Sequence, residues 1–230
     1  MIDIGSFFKQ LLPQQCLLCG ATAGATALCA GCHADLPWQA AAQSCPRCCL
    51  PEPGGEVCGA CLKHAPYFDA TLSVLYYRFP ADAMLRRYKY HGLLAVADLL
   101  GGLLAERAAD IPHPEVLVPM PLYRQRLHER GFNQAAEIAR IAAGKLGLAL
   151  DLQACQRTRP TPPQAGLKLR ERVKNMRGAF ACDASLQGKH VALVDDIMTS
   201  GASLNELART VKKAGAARVD CWVVARTRLD

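Results

Sequence analysis

Eight cysteines set in four CxxC pairs constrain this chain more than any other feature of its sequence. The pairs are Cys16/Cys19, Cys29/Cys32, Cys45/Cys48 and Cys58/Cys61, and each pair of the second half lies 29 residues after its counterpart in the first. The pattern CxxC-x9-CxxC is thus written twice, an internal duplication of one small unit. Two cysteines separated by two residues can aim both sulfurs at one point, and two such knuckles supply the four thiolates of a tetrahedral zinc site. Units this small cannot bury a core, so the metal has to contribute much of their folding energy. The equal spacings favour sequential pairing over an interleaved cross-brace: Cys16, Cys19, Cys29 and Cys32 on one zinc, Cys45, Cys48, Cys58 and Cys61 on a second. A redox role for the CxxC pairs is the weaker alternative, because a fourfold repeat needs no catalysis to explain it. His33 and His64 sit beside the pairs and are read as surface residues, since four thiolates complete each site. Cys49 is the spare of this segment, and Cys155, Cys182 and Cys221 read as small buried hydrophobes.

Composition adds exclusions. In 230 residues, 51% hydrophobic and 20% charged, global disorder is ruled out. No apolar run reaches the roughly 18 residues of a spanning helix; the best stretch, LLAVADLLGGLLA from Leu93, is broken by Asp98 and two glycines. The N-terminal MIDIGSFFKQLLPQQC carries Asp3 and Lys9 with no long apolar block, a poor secretory signal. The expectation is a cytoplasmic protein without a membrane span, whose thiols are reduced or metal-bound.

From about Pro66 strand-like and helix-like segments alternate. Ala70 to Phe79 is β-branched and aromatic, a strand; Ala81 to Gly92 and Leu93 to Ala109 read as helices; Val116 to Met120 is a short buried strand closed by proline. Phe132 to Leu146 reads as a helix, Leu148 to Cys155 as a strand, Val191 to Asp196 as a strand, Leu204 to Ala214 as a helix and Val219 to Ala225 as a last strand. Such alternation argues for an α/β fold, a parallel sheet covered by helices on both faces, with ligands beyond the carboxyl ends of its strands. The division expected is a double zinc ribbon over residues 1–65 and an α/β domain over residues 66–230.

VALVDDIMTSGASLNEL, from Val191 to Leu207, is the most informative part of that domain. A buried strand runs into two acids, then into a loop with two hydroxyls and a glycine, then into a helix. Unpaired amides at a helix N-terminus favour an anion, Gly201 lets the backbone approach it, and Thr199, Ser200 and Ser203 add hydroxyl donors. Asp195 and Asp196 would repel that anion and should face a sugar diol or a magnesium ion instead.

These residues resemble the phosphoribosyl pyrophosphate (PRPP) motif of type I phosphoribosyltransferases. The resemblance implies that Asp195 and Asp196 contact the ribose hydroxyls and that Thr199, Ser200, Gly201, Ala202 and Ser203 hold the 5′-phosphate. Val118 to Ala139, Arg157 to Phe180 and the fourfold CxxC leader together resemble the ComF family of bacterial competence proteins, including its GntX-like members, over nearly the whole chain. That likeness implies zinc ribbons fused to a type I phosphoribosyltransferase-like domain, PRPP with magnesium as ligand, and a role in uptake or processing of single-stranded DNA beside other competence proteins. It further implies that the VPMPL turn faces pyrophosphate, with Arg124, Arg126, Arg130 and Asn133 near it, and that Arg157 to Asn175 forms a hood. The reaction implied is displacement of pyrophosphate from ribose C1 to an acceptor the sequence does not name. Where hypoxanthine-guanine transferases place an acid in the phosphate loop, this chain has Thr199, a poor general base at neutral pH, which disfavours 6-oxopurine salvage. Salvage of another nucleobase and PRPP sensing without turnover remain as alternatives.

Charge bears on the DNA question. Residues 1–65 are net −1 and residues 66–230 net +8; between Arg157 and Arg177 there are seven basic residues and one acid, Glu171. Such a run suits a polyanion, pyrophosphate or a nucleic-acid backbone, or simply a solvated face. Arg170, Arg172 and Lys174 are the candidate DNA contacts, and Tyr88 and Tyr90 the candidate stacking aromatics, with core packing an equal explanation for the tyrosines.

Overall fold

The computed structural model describes residues 14–23, 27–91, 94–160 and 169–228, and the side chains of 14, 90, 91, 94, 169 and 170 fall outside that description. Residues 1–13, residues 92–93, residues 161–168 of the expected hood and the side chains of Tyr90 and Arg170 therefore lie outside the described residues.

The first ribbon pairs β1 (Gln14–Gln15) antiparallel with β2 (Thr22–Ala23), and a short helix α1 (Ala30–Ala34) opens on Cys29. The second ribbon repeats the device, with α2 (Gly59–Lys63) opening on Cys58. Beyond them run β3 (Ala70–Tyr76), α3 (Ala81–His91), α4 (Leu94–Ala108), β4 (Val116–Pro119), α5 (Arg124–Arg130), α6 (Gln134–Leu146) and β5 (Ala149–Leu150). The remainder comprises β6 (Cys155–Arg157), α7 (Leu169–Met176), β7 (Phe180–Cys182), β8 (His190–Met198), α8 (Ala202–Lys213) and β9 (Arg218–Arg226).

Five strands form one sheet in the order β3-β9-β8-β4-β5, and every neighbouring pair is parallel. Successive side chains of a strand point to opposite faces, so a parallel sheet needs apolar residues at both parities. Leu117, Ala192, Val194, Trp222 and Val224 pack on one face with α3, α4 and α6; Val116, Val118, Val191, Leu193, Cys221 and Val223 pack on the other with α8. Helices α4 and α6 approach so closely that a Cβ on Gly101 would lie 2.6 Å from the Ile141 Cβ.

The edge strand β3 is not left open. The Gln39 amide donates to the Val74 carbonyl at 3.0 Å, the Tyr76 amide to Pro37 at 2.7 Å, and the Thr71 amide to Pro46 at 3.0 Å. The stretch joining the ribbons, with the start of the second, thus caps the hydrogen-bonding edge that would otherwise invite another strand. Cys49 belongs to the same seam: it takes a left-handed backbone conformation (φ 55°) and its thiol donates to the Thr71 carbonyl at 2.9 Å.

Three sequence expectations are corrected. The strand foreseen over Leu148 to Cys155 is two strands in different sheets, because the Asp151 side chain accepts from the amides of Gln153 (2.9 Å) and Ala154 (2.8 Å) and turns the chain between them. The helix foreseen from Phe132 starts at Gln134, since the Asn133 side chain caps the amides of Ala135 and Ala136. Helix α5 was not foreseen; its sequence RQRLHER has no apolar period.

Candidate functional site

The two cysteine clusters form as the sequential pairing predicts. Cys16, Cys19, Cys29 and Cys32 bring their sulfurs within 4.8 Å of one another, and Cys45, Cys48, Cys58 and Cys61 do the same. The second and third cysteines of each set, Cys19/Cys29 and Cys48/Cys58, are separated by 3.7 Å in both ribbons. Four thiolates about 2.3 Å from one zinc would sit about 3.8 Å apart, so the sets fit the ion. Their electrostatics also suit a cation. Burial raises the Cys16 thiol, but the amides of Cys19, Cys29 and Leu18 outweigh it and bring it down to about 6. Cys32 is pushed far up by the thiols of Cys19, Cys29 and Cys16. In the second set Cys45 falls to about 7, its burial outweighed by the amides of Cys58, Cys48 and Arg47, while burial pushes Cys48 up to about 11. Within either set crowding of the thiols opposes their joint ionisation, which a cation at the centre would relieve. His33 stays out of the first set and its ring packs against Trp38, centroids 4.9 Å apart.

In the sheet, β4 leads outward to β5 while β8 leads the opposite way to β9, so the crevice between the carboxyl ends of β4 and β8 is a topological switch point. Both phosphate-related segments read from the sequence meet there. Pro119 pairs with Val194, and the Met120 amide donates to the Val194 carbonyl at 2.8 Å. The Asn133 side chain donates to the Met120 carbonyl at 3.0 Å while its oxygen caps α6, which fixes the VPMPL turn against the helix that follows.

On the β8 side, Asp195 and Asp196 are half-buried, Thr199 is exposed, Ser200 and Ser203 are half-buried, and Gly201 and Ala202 are buried. Gly201 caps α8 from the left-handed region (φ 77°), and a Cβ there would lie 2.7 Å from the Met198 Cε. A cavity of about 30 Å³, lined by Asp195, Met198, Thr199, Gly201 and Ser203, opens at this turn. Burial, and next the charge of Asp196, raise the Asp195 carboxyl well above the carboxylate range, and Lys89 on α3 pulls it back only in part.

On the β4 side a cleft of about 620 Å³ is lined by Pro121, Tyr123, Arg124, Asn133, Cys155 and Arg157 among others. Burial, then the like charge of Arg126, depress the Arg157 guanidinium; Asp195 opposes them and Arg159 adds to them. Arg126, Arg157, Arg159 and Asp195 therefore share one electrostatic neighbourhood. The base of the hood is fixed: Arg159 donates to the carbonyls of Asn175 (3.0 Å) and Arg177 (2.5 Å), and the Glu206 carboxylate of α8 accepts from the Gly178 amide at 2.6 Å.

Of the arginines expected near pyrophosphate, Arg124 lines the cleft, while Arg130 does not and donates instead to the Gln134 side chain at 2.7 Å. Lys174 is exposed on α7 and Arg172 half-buried, and among the described residues neither lines these cavities. Tyr88 is fully buried, donates to the Gln134 carbonyl at 3.2 Å and packs on Phe132, so it stacks no base. Sequence reading did not single out Lys89, nor Arg157 as a cleft residue in its own right; both lie far in sequence from the acids they influence.

Residues 7–62 match the double zinc ribbon domain family, and residues 129–229 match the phosphoribosyl transferase domain family. The DNA utilization protein YhgH of Salmonella typhi is 34% identical over 190 residues, which cover 80% of this chain and 84% of that protein. The chain belongs to the ComF family. Competence protein F of Haemophilus influenzae is 31% identical over 178 residues, 74% of this chain and 78% of its own. Competence protein ComFC of Bacillus subtilis is 27% identical over 198 residues, 80% of this chain and 78% of its own. In this ComF-family chain the transferase match begins after β3 and β4, yet both strands complete the sheet that holds the site. Among the described residues no helix is long and apolar enough to cross a membrane.

Proposed function

We propose that the protein binds PRPP with magnesium at the switch point between β4 and β8 and serves the handling of incoming single-stranded DNA, with residues 1–65 as the ribbon unit and 66–230 as the transferase unit. The observation that supports the reading is that the paired acids and the Gly201 turn follow from β8 while the adjacent strand β4 leads into the turn whose cleft is lined by Arg124 and Arg157. On this reading the amides and hydroxyls of residues 199–203 receive the 5′-phosphate at the head of α8. Asp195 and Asp196 accept from the ribose hydroxyls or hold the magnesium, which relieves the repulsion that raises Asp195. Arg124, Arg126 and Arg157 neutralise the pyrophosphate, and in a transfer reaction they would stabilise it as it departs. The DNA role is supported by the names of the family members and by the basic run of the hood; Arg170, Arg172 and Lys174 are its proposed contacts.

A second reading, PRPP sensing without turnover, is favoured by the cleft itself: no carboxylate is among the described residues that line it, so no general base is offered to an acceptor there. Calorimetry with PRPP and magnesium tests the binding. Replacing both Asp195 and Asp196 by asparagine should abolish measurable affinity with the fold intact, and unchanged affinity would remove the site assignment. Release of pyrophosphate from PRPP, with and without DNA, separates transferase from sensor.

A further inference from the structure

Arg226, the last residue of β9, is a charged side chain only 2% exposed. Its Nε donates to the carbonyl of Cys48 at 2.8 Å, and its Nη1 donates to the carbonyls of Met198 and Thr227, both at 2.9 Å, and also to that of Thr199. One guanidinium therefore grips the backbone of a cysteine of the second cluster and the two residues that open the turn at Gly201. Carbonyl oxygens accept from its Nε and Nη1 but carry no full charge, and a buried cation needs one. The second cluster lies beside it, since the guanidinium reaches the backbone of Cys48, one of the four cysteines of that set. Four thiolates around a divalent ion leave a net charge of about −2. The first cluster is placed differently; Cys19 and Cys32, with Leu17 and Leu18, line a groove against Phe79, Met84 and Val96 of the α3 and α4 layer.

We infer that Arg226 is a positioning residue coupling the second cysteine cluster to the turn at residues 199–203, so that this turn holds its shape only while the second cluster is metal-bound, whatever the state of the first. The coupling concerns backbone geometry; its consequence for ligand binding rests on the PRPP reading proposed above.

The test compares Cys58→Ser/Cys61→Ser, which unloads the second cluster without touching Arg226, with Cys16→Ser/Cys19→Ser in the first, and adds Arg226→Lys and Arg226→Met. Zinc content by mass spectrometry verifies which site is lost. Hydrogen exchange of the peptide spanning residues 198–205 should speed by about tenfold or more in the second-cluster and Arg226→Met proteins, the size of one hydrogen bond to a charged group. Arg226→Lys, which keeps the charge and fewer donors, should fall between Arg226→Met and the parent. The first-cluster protein should leave that peptide unchanged, and β4 should stay protected throughout. PRPP affinity, measured by calorimetry, should weaken in the same order. Equal acceleration from both clusters, or none from the second, overturns the coupling. If the parent does not bind PRPP while the exchange pattern holds, the PRPP reading fails and the coupling stands.

Discussion

Asp195 carries two demands that conflict. Its carboxyl is raised by burial and by Asp196, so the folded state holds a proton that the unfolded chain gives up sooner. Folded-state stability contributed by this group is therefore lost as pH rises from the unfolded value, about 3.9, towards the raised one. Ligand binding runs the other way, because a diol or a metal ion takes the carboxylate. Asp195→Asn should raise the Tm of the free protein at neutral pH and flatten its fall with pH, while weakening PRPP binding; a lowered Tm would mean that the carboxyl stabilises the resting fold. Residue-scale chemistry was only partly legible in the sequence. The acids and Gly201 announce themselves by adjacency in one stretch. Arg226 does not, because its partners Cys48 and Met198 come from distant parts of the chain and a single arginine at a strand end has no local signature.

At the scale of elements, the long strands and helices were readable because their apolar periods are strong. The failures fall where a polar side chain overrules the period, Asp151 breaking a strand and Asn133 delaying a helix. Gly101 and Gly144 show why composition alone misleads inside helices. Gly101→Ala should destabilise by about 1–3 kcal/mol, since its Cβ meets Ile141 and overpacking outweighs the gain in helix propensity. Gly144→Ala, on an exposed face of α6 with nothing within 4 Å, should stabilise by about 0.5–1 kcal/mol. Thermal denaturation of the two variants side by side checks both signs. The hood offers a different test. If α7 tracks a DNA backbone, neutralising Arg170, Arg172 and Lys174 should flatten the dependence of log affinity on log salt by about 0.7 per lost phosphate contact. If the segment serves pyrophosphate instead, PRPP affinity drops and the salt slope stays.

For the whole molecule, the duplicated cysteines set the metal stoichiometry and the seam between ribbon and sheet sets what the metal protects. Elemental analysis should return two zinc ions per chain, and stripping them with a chelator should uncover the β3 edge, read as a rise in light scattering over hours while the far-UV signal of the sheet persists. Loss of scattering change after chelation would mean that the 37–51 segment holds the edge without its metal. The fold class was legible from the alternation of elements, whereas this seam was not, since it consists of backbone bonds between a loop and an edge. The pairing of β3 with β9, Ala70 opposite Asp220, also has a consequence in time. On the ribosome, the first strand of the sheet waits for the last, a delay of roughly 10–30 s at bacterial and eukaryotic elongation rates. Until then β3 has neither its sheet neighbour nor a finished core, and among the described residues the ribbon segment that bonds its edge is the partner already synthesised. If the ribbons take up zinc and fold as they emerge, zinc supply during synthesis should change how much of the chain reaches its native state, which the native yield of chains translated with and without added zinc would test.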